Sequence, residues 1–184
     1  MHFLHCHQEL NSYYRQNILI KFNGNICLKS LSPLNDIYIH HKNYNMKYGF
    51  TCSCFDLFHA GHIMMLKECK ENCNHLIVGL QTDPTIDRPE KNKPIQSVFE
   101  RYIQLKACKY VDEIVVYATE KELVDILHSF PIDVRFVGEE YADVDFTGKN
   151  LGHTIHYNSR KHSFSTTELR GRVIERYEND KNKI

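Results

Sequence analysis

The chain is expected to fold as an α/β domain, doubly wound, with a parallel sheet of about five strands and helices on both faces. Three observations carry that expectation. From residue 46 onward, short β-prone apolar segments alternate with segments of helical length. The run His75-Leu76-Ile77-Val78-Gly79-Leu80-Gln81 is almost continuously apolar, as befits a strand covered on both faces. Three helix starts are marked by capping boxes, in which a Ser or Thr is followed three residues later by Glu. Strands that alternate with helices of this length are joined by right-handed crossovers into a parallel, Rossmann-like sheet.

The elements follow in order. Residues 1–45 show weak periodicity, scattered Asn and His, and a Ser32-Pro33 turn, and read as an N-terminal extension or as upstream sequence. The domain proper is expected over 46–184. Residues 47–52 form the first strand and 61–71 the first helix. Residues 75–81 form the second strand, and the polar stretch 82–96, with Pro84, Pro89 and Pro94, is a loop. Ser97 and Glu100 box the start of a helix to about residue 108. Residues 113–117 form a strand. Thr119 and Glu122 open a helix to about residue 128. Residues 134–138 form a strand, followed by a long loop to Gly152 and a short strand at 154–157. Ser165 and Glu168 open the last helix, to about residue 177.

Composition narrows the function classes. With 184 residues the chain is long enough to bury a core without covalent staples. Its 23 basic residues balance 23 acidic ones, which argues against broad nucleic-acid or anionic-membrane binding. No run of about 18 apolar residues is present, so no membrane span is expected. The seven cysteines are an odd number without scaffold spacing and fit reduced thiols in a cytoplasm. Cys52-x-Cys54, Cys69 and Cys73 lack the paired halves of a zinc site.

The most informative stretch is His59-Ala60-Gly61-His62, at the handover from the first strand to the first helix. Two imidazoles three residues apart lie one turn apart on a helix face. Gly61 lets a ligand approach the backbone, and the helix start offers unpaired N–H groups and a positive dipole end to a phosphate. Alone, two histidines near a helix start are ordinary polar residues. The flanking pattern Phe55-Asp56-x-x-His59-x-Gly61-His62 resembles the F-D-x-x-H-x-G-H signature of the cytidylyltransferase-like nucleotidyltransferases, with Ser53-Cys54 in place of Gly-Thr.

Two further segments extend the resemblance. Lys93-Pro94 with Glu100-Arg101 is similar to the family's loop lysine and Glu-Arg pair. Arg160, Ser165, Thr166 and Thr167 match the R-T-E-G-I-S-T-T motif, with Lys161, His162 and Ser163 replacing T-E-G and Phe164 replacing Ile. Arg170 also fits the S-S-T-x-x-R form of adenylyltransferase relatives. Val137-Gly138-Glu139-Glu140-Tyr141 resembles the V-x-G-D-D-W segment near the nucleotide.

The resemblance covers residues 47 to about 177 and points nearest to glycerol-3-phosphate cytidylyltransferase. It implies a homodimer that transfers CMP from CTP to a small phosphorylated acceptor, with Mg²⁺ held mainly by the triphosphate rather than by protein ligands. His59, His62 and Lys93 are implied as catalytic groups. Cys54, Phe55, Gly61, Arg160, Ser165, Thr166 and Thr167 are implied as nucleotide contacts, and Asp56, Arg101, Glu139 and Arg170 as further candidates. For Arg101, bracing the site, touching phosphate and pairing with a helix Glu all stay open. Two alternatives remain: an adenylyltransferase of the same fold, and a nucleotide-binding module without turnover, suggested by Ser53 and by Lys161 to Ser163.

Overall fold

The computed structural model describes residues 46–159 and 161–181. Within that span lie β1 (Tyr48–Ser53), α1 (Ala60–Glu71), β2 (His75–Gln81), α2 (Val98–Lys106), β3 (Glu113–Tyr117), α3 (Glu120–Ser129), β4 (Val134–Gly138), β5 (Thr154–Asn158) and α4 (Thr166–Lys181). The five strands form one sheet in the order β3-β2-β1-β4-β5. Every neighbouring pair is parallel. The doubly wound expectation therefore holds, while the expected extension over 1–45 lies outside the described residues.

The core follows from the period of two along the strands. Leu76, Val78 and Leu80 of β2 pack with Leu66 and Cys69 of α1 and Leu105 of α2 on one face. Ile77 faces the other way, where Phe50, Val115 and Tyr117 meet Leu123 and Leu127 of α3. Burying each such aliphatic side chain contributes roughly 1.5–3 kcal/mol. The centre of the sheet is tight. A Cβ on Gly49 would stand 2.5 Å from the Phe136 ring and 2.7 Å from Cys73 Sγ.

Several element bounds shift by a residue or two from the sequence reading, and three differences are larger. The stretch 82–96 contains a 3₁₀ turn at Pro84–Ile86, capped by Asp83, whose carboxylate accepts the Thr85 N–H at 2.9 Å. A second 3₁₀ turn, Glu139–Tyr141, follows β4 directly. Helix α4 runs to Lys181 rather than 177. Its last turns are polar and carry an Arg176–Asp180 pair at the i,i+4 spacing that supports an exposed helix. No helix among the described residues is long and apolar enough to cross a membrane.

The strand order places the site. The chain steps outward from β1 to β2 and β3, then returns to the far side of β1 for β4 and β5. A crevice opens where that order reverses, at the carboxyl ends of β1 and β4.

Candidate active site

A cleft of about 640 Å³ lies along those carboxyl ends. It is lined by Thr51 to Ser53 of β1, by His59, Gly61 and His62, and by Ser165, Thr166 and Thr167 at the start of α4. Two regions about a hundred residues apart in sequence thus meet at one place.

His59 is not inside the helix, as its spacing suggested. It is the N-cap of α1, with an extended backbone at φ −138° and ψ 175°. Its Nδ1 accepts the Gly61 N–H at 3.1 Å, and His62 Nδ1 accepts the His59 N–H at 3.3 Å. The two imidazoles therefore make a reciprocal capping box. An Nδ1 that accepts carries no proton, so a neutral ring bears its hydrogen on Nε2. His59 Nε2 lies 3.3 Å from Thr166 Oγ1, and that hydroxyl donates onward to the Asp56 carbonyl at 3.3 Å. The rings stack with centroids 4.0 Å apart, and His62 lies on Phe58 at 5.5 Å. Burial, helped by the neighbouring His59 and opposed by Asp56, brings the His62 pKa down to about 3. At neutral pH His62 is an uncharged donor of one directed hydrogen bond.

The loop ahead of the pair is held in an uncommon conformation. Phe55 and Leu57 have φ of 52° and 48°. Left-handed backbone at such residues costs on the order of 1–3 kcal/mol each and persists where the surroundings over-determine it. Here Phe55 is 1% exposed in the core. Asp56 Oδ1 accepts the N–H groups of Ile95 and Gln96 at 3.0 and 2.9 Å, and its Oδ2 pairs with Arg170 Nη2 at 2.6 Å. Burial works to raise the Asp56 pKa, but the Gln96 and Ile95 N–H groups and Arg170 outweigh it and hold the carboxyl below its ordinary value.

Arg101 braces the site from beneath and does not line the cleft. It is 1% exposed. Nη1 donates to the carbonyls of Cys54 and Gln81 at 2.7 Å each, and Nη2 to that of Thr82 at 2.7 Å. Nε donates to the Gln96 and Ser97 carbonyls at 3.1 and 3.3 Å. One planar fork thereby ties the exits of β1 and β2 to the entry of α2.

Other candidates are placed differently from the sequence reading. Cys54 turns towards Arg101, its Sγ 3.4 Å from Nη1, and does not line the cleft. The Phe55 ring belongs to the core. The side chain of Lys93 is 80% exposed, 3.9 Å from Asp83 Oδ2, and lies outside the cleft lining. Glu139 is exposed, and Glu140 lines the cleft instead. At Gly61 a Cβ would meet His59 Cε1, His162 Cε1 and the Phe164 carbonyl at 2.9 Å each, so the chain's own 162–164 segment occupies the space that glycine leaves. Ser165 caps α4, its Oγ accepting the Glu168 N–H at 3.1 Å. Arg160 lies outside the described residues.

The cleft also contains groups that sequence reasoning missed: Gln81, Arg88, Tyr117, Glu120, Arg135 and His162. His162 stands in a motif position without the motif residue. Arg135 interrupts an apolar strand, which was the one local signal available.

The cytidylyltransferase-like family profile matches residues 50–172. Among curated proteins, the bifunctional protein HldE of Caulobacter sp. (strain K31) is 33% identical over 133 residues, covering 70% of this chain and 27% of that protein. The bifunctional protein HldE of Campylobacter jejuni subsp. jejuni serotype O:2 is 28% identical over 142 residues, covering 77% of this chain and 31% of its own. The chain therefore spans less than a third of the length of these curated relatives. The lipopolysaccharide core biosynthesis protein of Thermoplasma volcanium GSS1 aligns in its crystal structure with a TM-score of 0.50 at 24% identity, over 61% of this chain and 93% of that one, a likeness of fold.

Proposed function

The chain belongs to the cytidylyltransferase-like family, and we propose that it transfers a nucleoside monophosphate from a nucleoside triphosphate to a small phosphomonoester. One observation carries the reading: His59 and His62 each turn Nδ1 inward to the capping box, which leaves Nε2 as the proton-bearing nitrogen of both rings, and that of His59 stands beside the start of α4. A phosphate held at that helix start meets free N–H groups, the Thr166 and Thr167 hydroxyls and two imidazole donors.

In the reaction an acceptor phosphate oxygen bonds to the α-phosphorus of the nucleotide, and the bond from that phosphorus to the pyrophosphate oxygen breaks. A phosphomonoester has a second pKa of about 6 and is largely ionised at neutral pH, so it needs no general base. The chain's task is positioning and hydrogen bonding to the charge that grows on the α-phosphate. His62, uncharged, supplies direction rather than charge. Lys93 supplies charge by leaving Asp83 for the triphosphate. Among the described residues no three His, Cys, Asp or Glu side chains gather as metal ligands. On this reading Mg²⁺ would enter with the triphosphate and would supply neutralisation of its charge.

For the nucleotide and acceptor, CMP transfer from CTP to glycerol 3-phosphate is the first reading, supported by Phe164-Ser165-Thr166-Thr167 at the cleft. A second reading, AMP transfer from ATP, is favoured by Arg170, which the Asp56 pair anchors beside the same helix start. A homodimer in the cytoplasm completes the proposal. Pyrophosphate release from CTP and from ATP, each with a panel of phosphomonoesters, tests both readings. Release with neither nucleotide would leave a nucleotide-binding module without turnover.

A further inference from the structure

The lining of the cleft divides by sheet face into two lobes, one of residues on the α1 face and one of residues on the α3 face. His59, His62, Met65 and the start of α4 line the lobe on the α1 face. The second lobe opens on the α3 face and is lined by Gln81, Arg88, Tyr117, Glu120, Leu123 and Arg135. Gln81 ends β2 in register with Tyr117 of β3 and shares the face of Ile77, two-residue periodicity placing it there.

The second lobe carries polar atoms whose partners are missing. Gln81 is 3% exposed, and its Nε2 has no hydrogen-bond partner. Its Oε1 is taken by Arg88 Nη2 at 3.2 Å. Arg88 Nε is buried and unpartnered. Glu120 Oε1 lies 3.0 Å from Arg88 Nη2 as an ion pair, without hydrogen-bond geometry, and has no hydrogen-bond partner. A buried amide left unpaired is costly, and a group of such atoms at one place in a cleft is what a bound ligand would satisfy.

The chemistry of the ligand follows from the mixture. Two donors without partners stand beside a carboxylate oxygen that is ion-paired to Arg88 but accepts no hydrogen bond. A second phosphate or a carboxylate would face the Glu120 carboxylate. A quaternary ammonium would face the Arg88 guanidinium and leave the Gln81 amide unsatisfied. A hydroxyl both donates and accepts, so neighbouring hydroxyls on a carbon chain or ring match Glu120 Oε1, Arg88 Nε and Gln81 Nε2 together.

We propose that Gln81, Arg88 and Glu120 form the acceptor subsite and select a polyhydroxylated phosphomonoester, a polyol or sugar phosphate. The proposal rests on the nucleotidyltransferase reading, which puts the triphosphate in the α1-face lobe and leaves this lobe for the body of the acceptor. The acceptor's phosphate then extends past Ser53 towards the histidines.

The test is a calorimetric titration of the full chain, saturated with α,β-methylene CTP or α,β-methylene ATP. Glycerol 3-phosphate, ribose 5-phosphate and phosphocholine are the titrants, and wild type, Gln81→Leu and Glu120→Gln are compared. The polyol phosphates are expected to bind more tightly than phosphocholine, and each substitution to weaken them about 10-fold, as for one lost hydrogen bond to a buried group. Affinity for the nucleotide analogues should stay within two-fold, roughly the scatter of a remote change. Equal binding of phosphocholine, no binding of the polyol phosphates, unchanged acceptor affinity in both variants, or parallel loss of nucleotide affinity would each overturn the subsite. If Gln81→Leu does not fold, Glu120→Gln carries the comparison. Pyrophosphate release is followed in parallel. Acceptor binding that responds to the substitutions without turnover would remove the catalytic reading and keep the subsite. Turnover with an unresponsive acceptor KM would do the reverse.

Discussion

The Nε2 atom of His59 stands 3.3 Å from the Thr166 hydroxyl, so the cap of the first helix touches the first turn of the last one across 107 residues of chain. On the proposed function, a nucleotide entering the cleft would meet both at once. This contact couples the stability of the site to its chemistry, and the two are separable by choice of substitution.

For the histidines, His62→Ala is expected to lower kcat by roughly 10²–10³, the loss of one transition-state donor. His59→Ala should do the same and also cost about 1 kcal/mol of stability, because it removes an N-cap. His59→Asn restores a capping oxygen without the Nε2 donor. Thermal melts should recover in that variant while pyrophosphate release does not. Wild-type turnover in His62→Ala would take the pair out of the mechanism.

The buried His62 sets a pH dependence of stability. Its pKa is held at about 3, below the ordinary 6.5, so between those values the unfolded chain binds a proton that the folded chain refuses. Stability is then complete above pH 6.5 and falls as pH drops towards 3, by up to about 1.4 kcal/mol per pH unit from this group. Urea unfolding at pH 7.0, 6.0 and 5.0 should show that slope in wild type and a flatter one in His62→Gln. Equal slopes would mean that His62 titrates normally in the folded chain.

Asp56 acts in a lower window. Its carboxyl is held below the ordinary value, so the stability it contributes is present above pH 4 or so, as for an unperturbed Asp, and is lost as pH falls through the folded pKa. At neutral pH, Asp56→Ala strips partners from Ile95, Gln96 and Arg170 together. The expected cost is roughly 2–3 kcal/mol in urea unfolding, the scale of hydrogen bonds to a buried charge. A change within error would show that these contacts are replaced by water.

Arg101→Met keeps much of the buried volume but leaves the carbonyls of Cys54, Gln81 and Thr82 without donors. A loss of about 3 kcal/mol or more is expected. Arg101→Lys should not rescue it, because one ammonium cannot span carbonyls on three segments. A Lys variant as stable as wild type would argue against the bracing role.

What the sequence made legible was local. Ser97 with Glu100 and Thr119 with Glu122 form their capping boxes because both partners are three residues apart and their geometry needs no tertiary help. The apolar run of β2 announced a strand covered twice. Arg101 and Asp56 were only partly legible, because the partners of the Arg101 Nη atoms lie 19 to 47 residues away and those of the Asp56 carboxylate 39 to 114. No local rule decides where a guanidinium points when several loops converge on it. The histidine capping box escaped because imidazole seldom fills that role. Gln81 escaped because a polar residue at the end of an apolar strand looks like the strand's natural stop.

The Asp56–Arg170 pair closes a separation of 114 residues. Loop-closure entropy grows with such a separation as (3/2)RT ln n, and folds that depend on distant parallel pairings acquire them slowly. On the ribosome, β1 through β4 are all made before the chain reaches Thr166. A nascent chain at that stage has the strands that line the floor of the cleft and lacks its far wall. The strained turn at Phe55 and Leu57 waits, without its Arg170 anchor, until the last helix arrives. The wall of the cleft proposed to meet phosphate is thus completed only after all five strands of the sheet have been made.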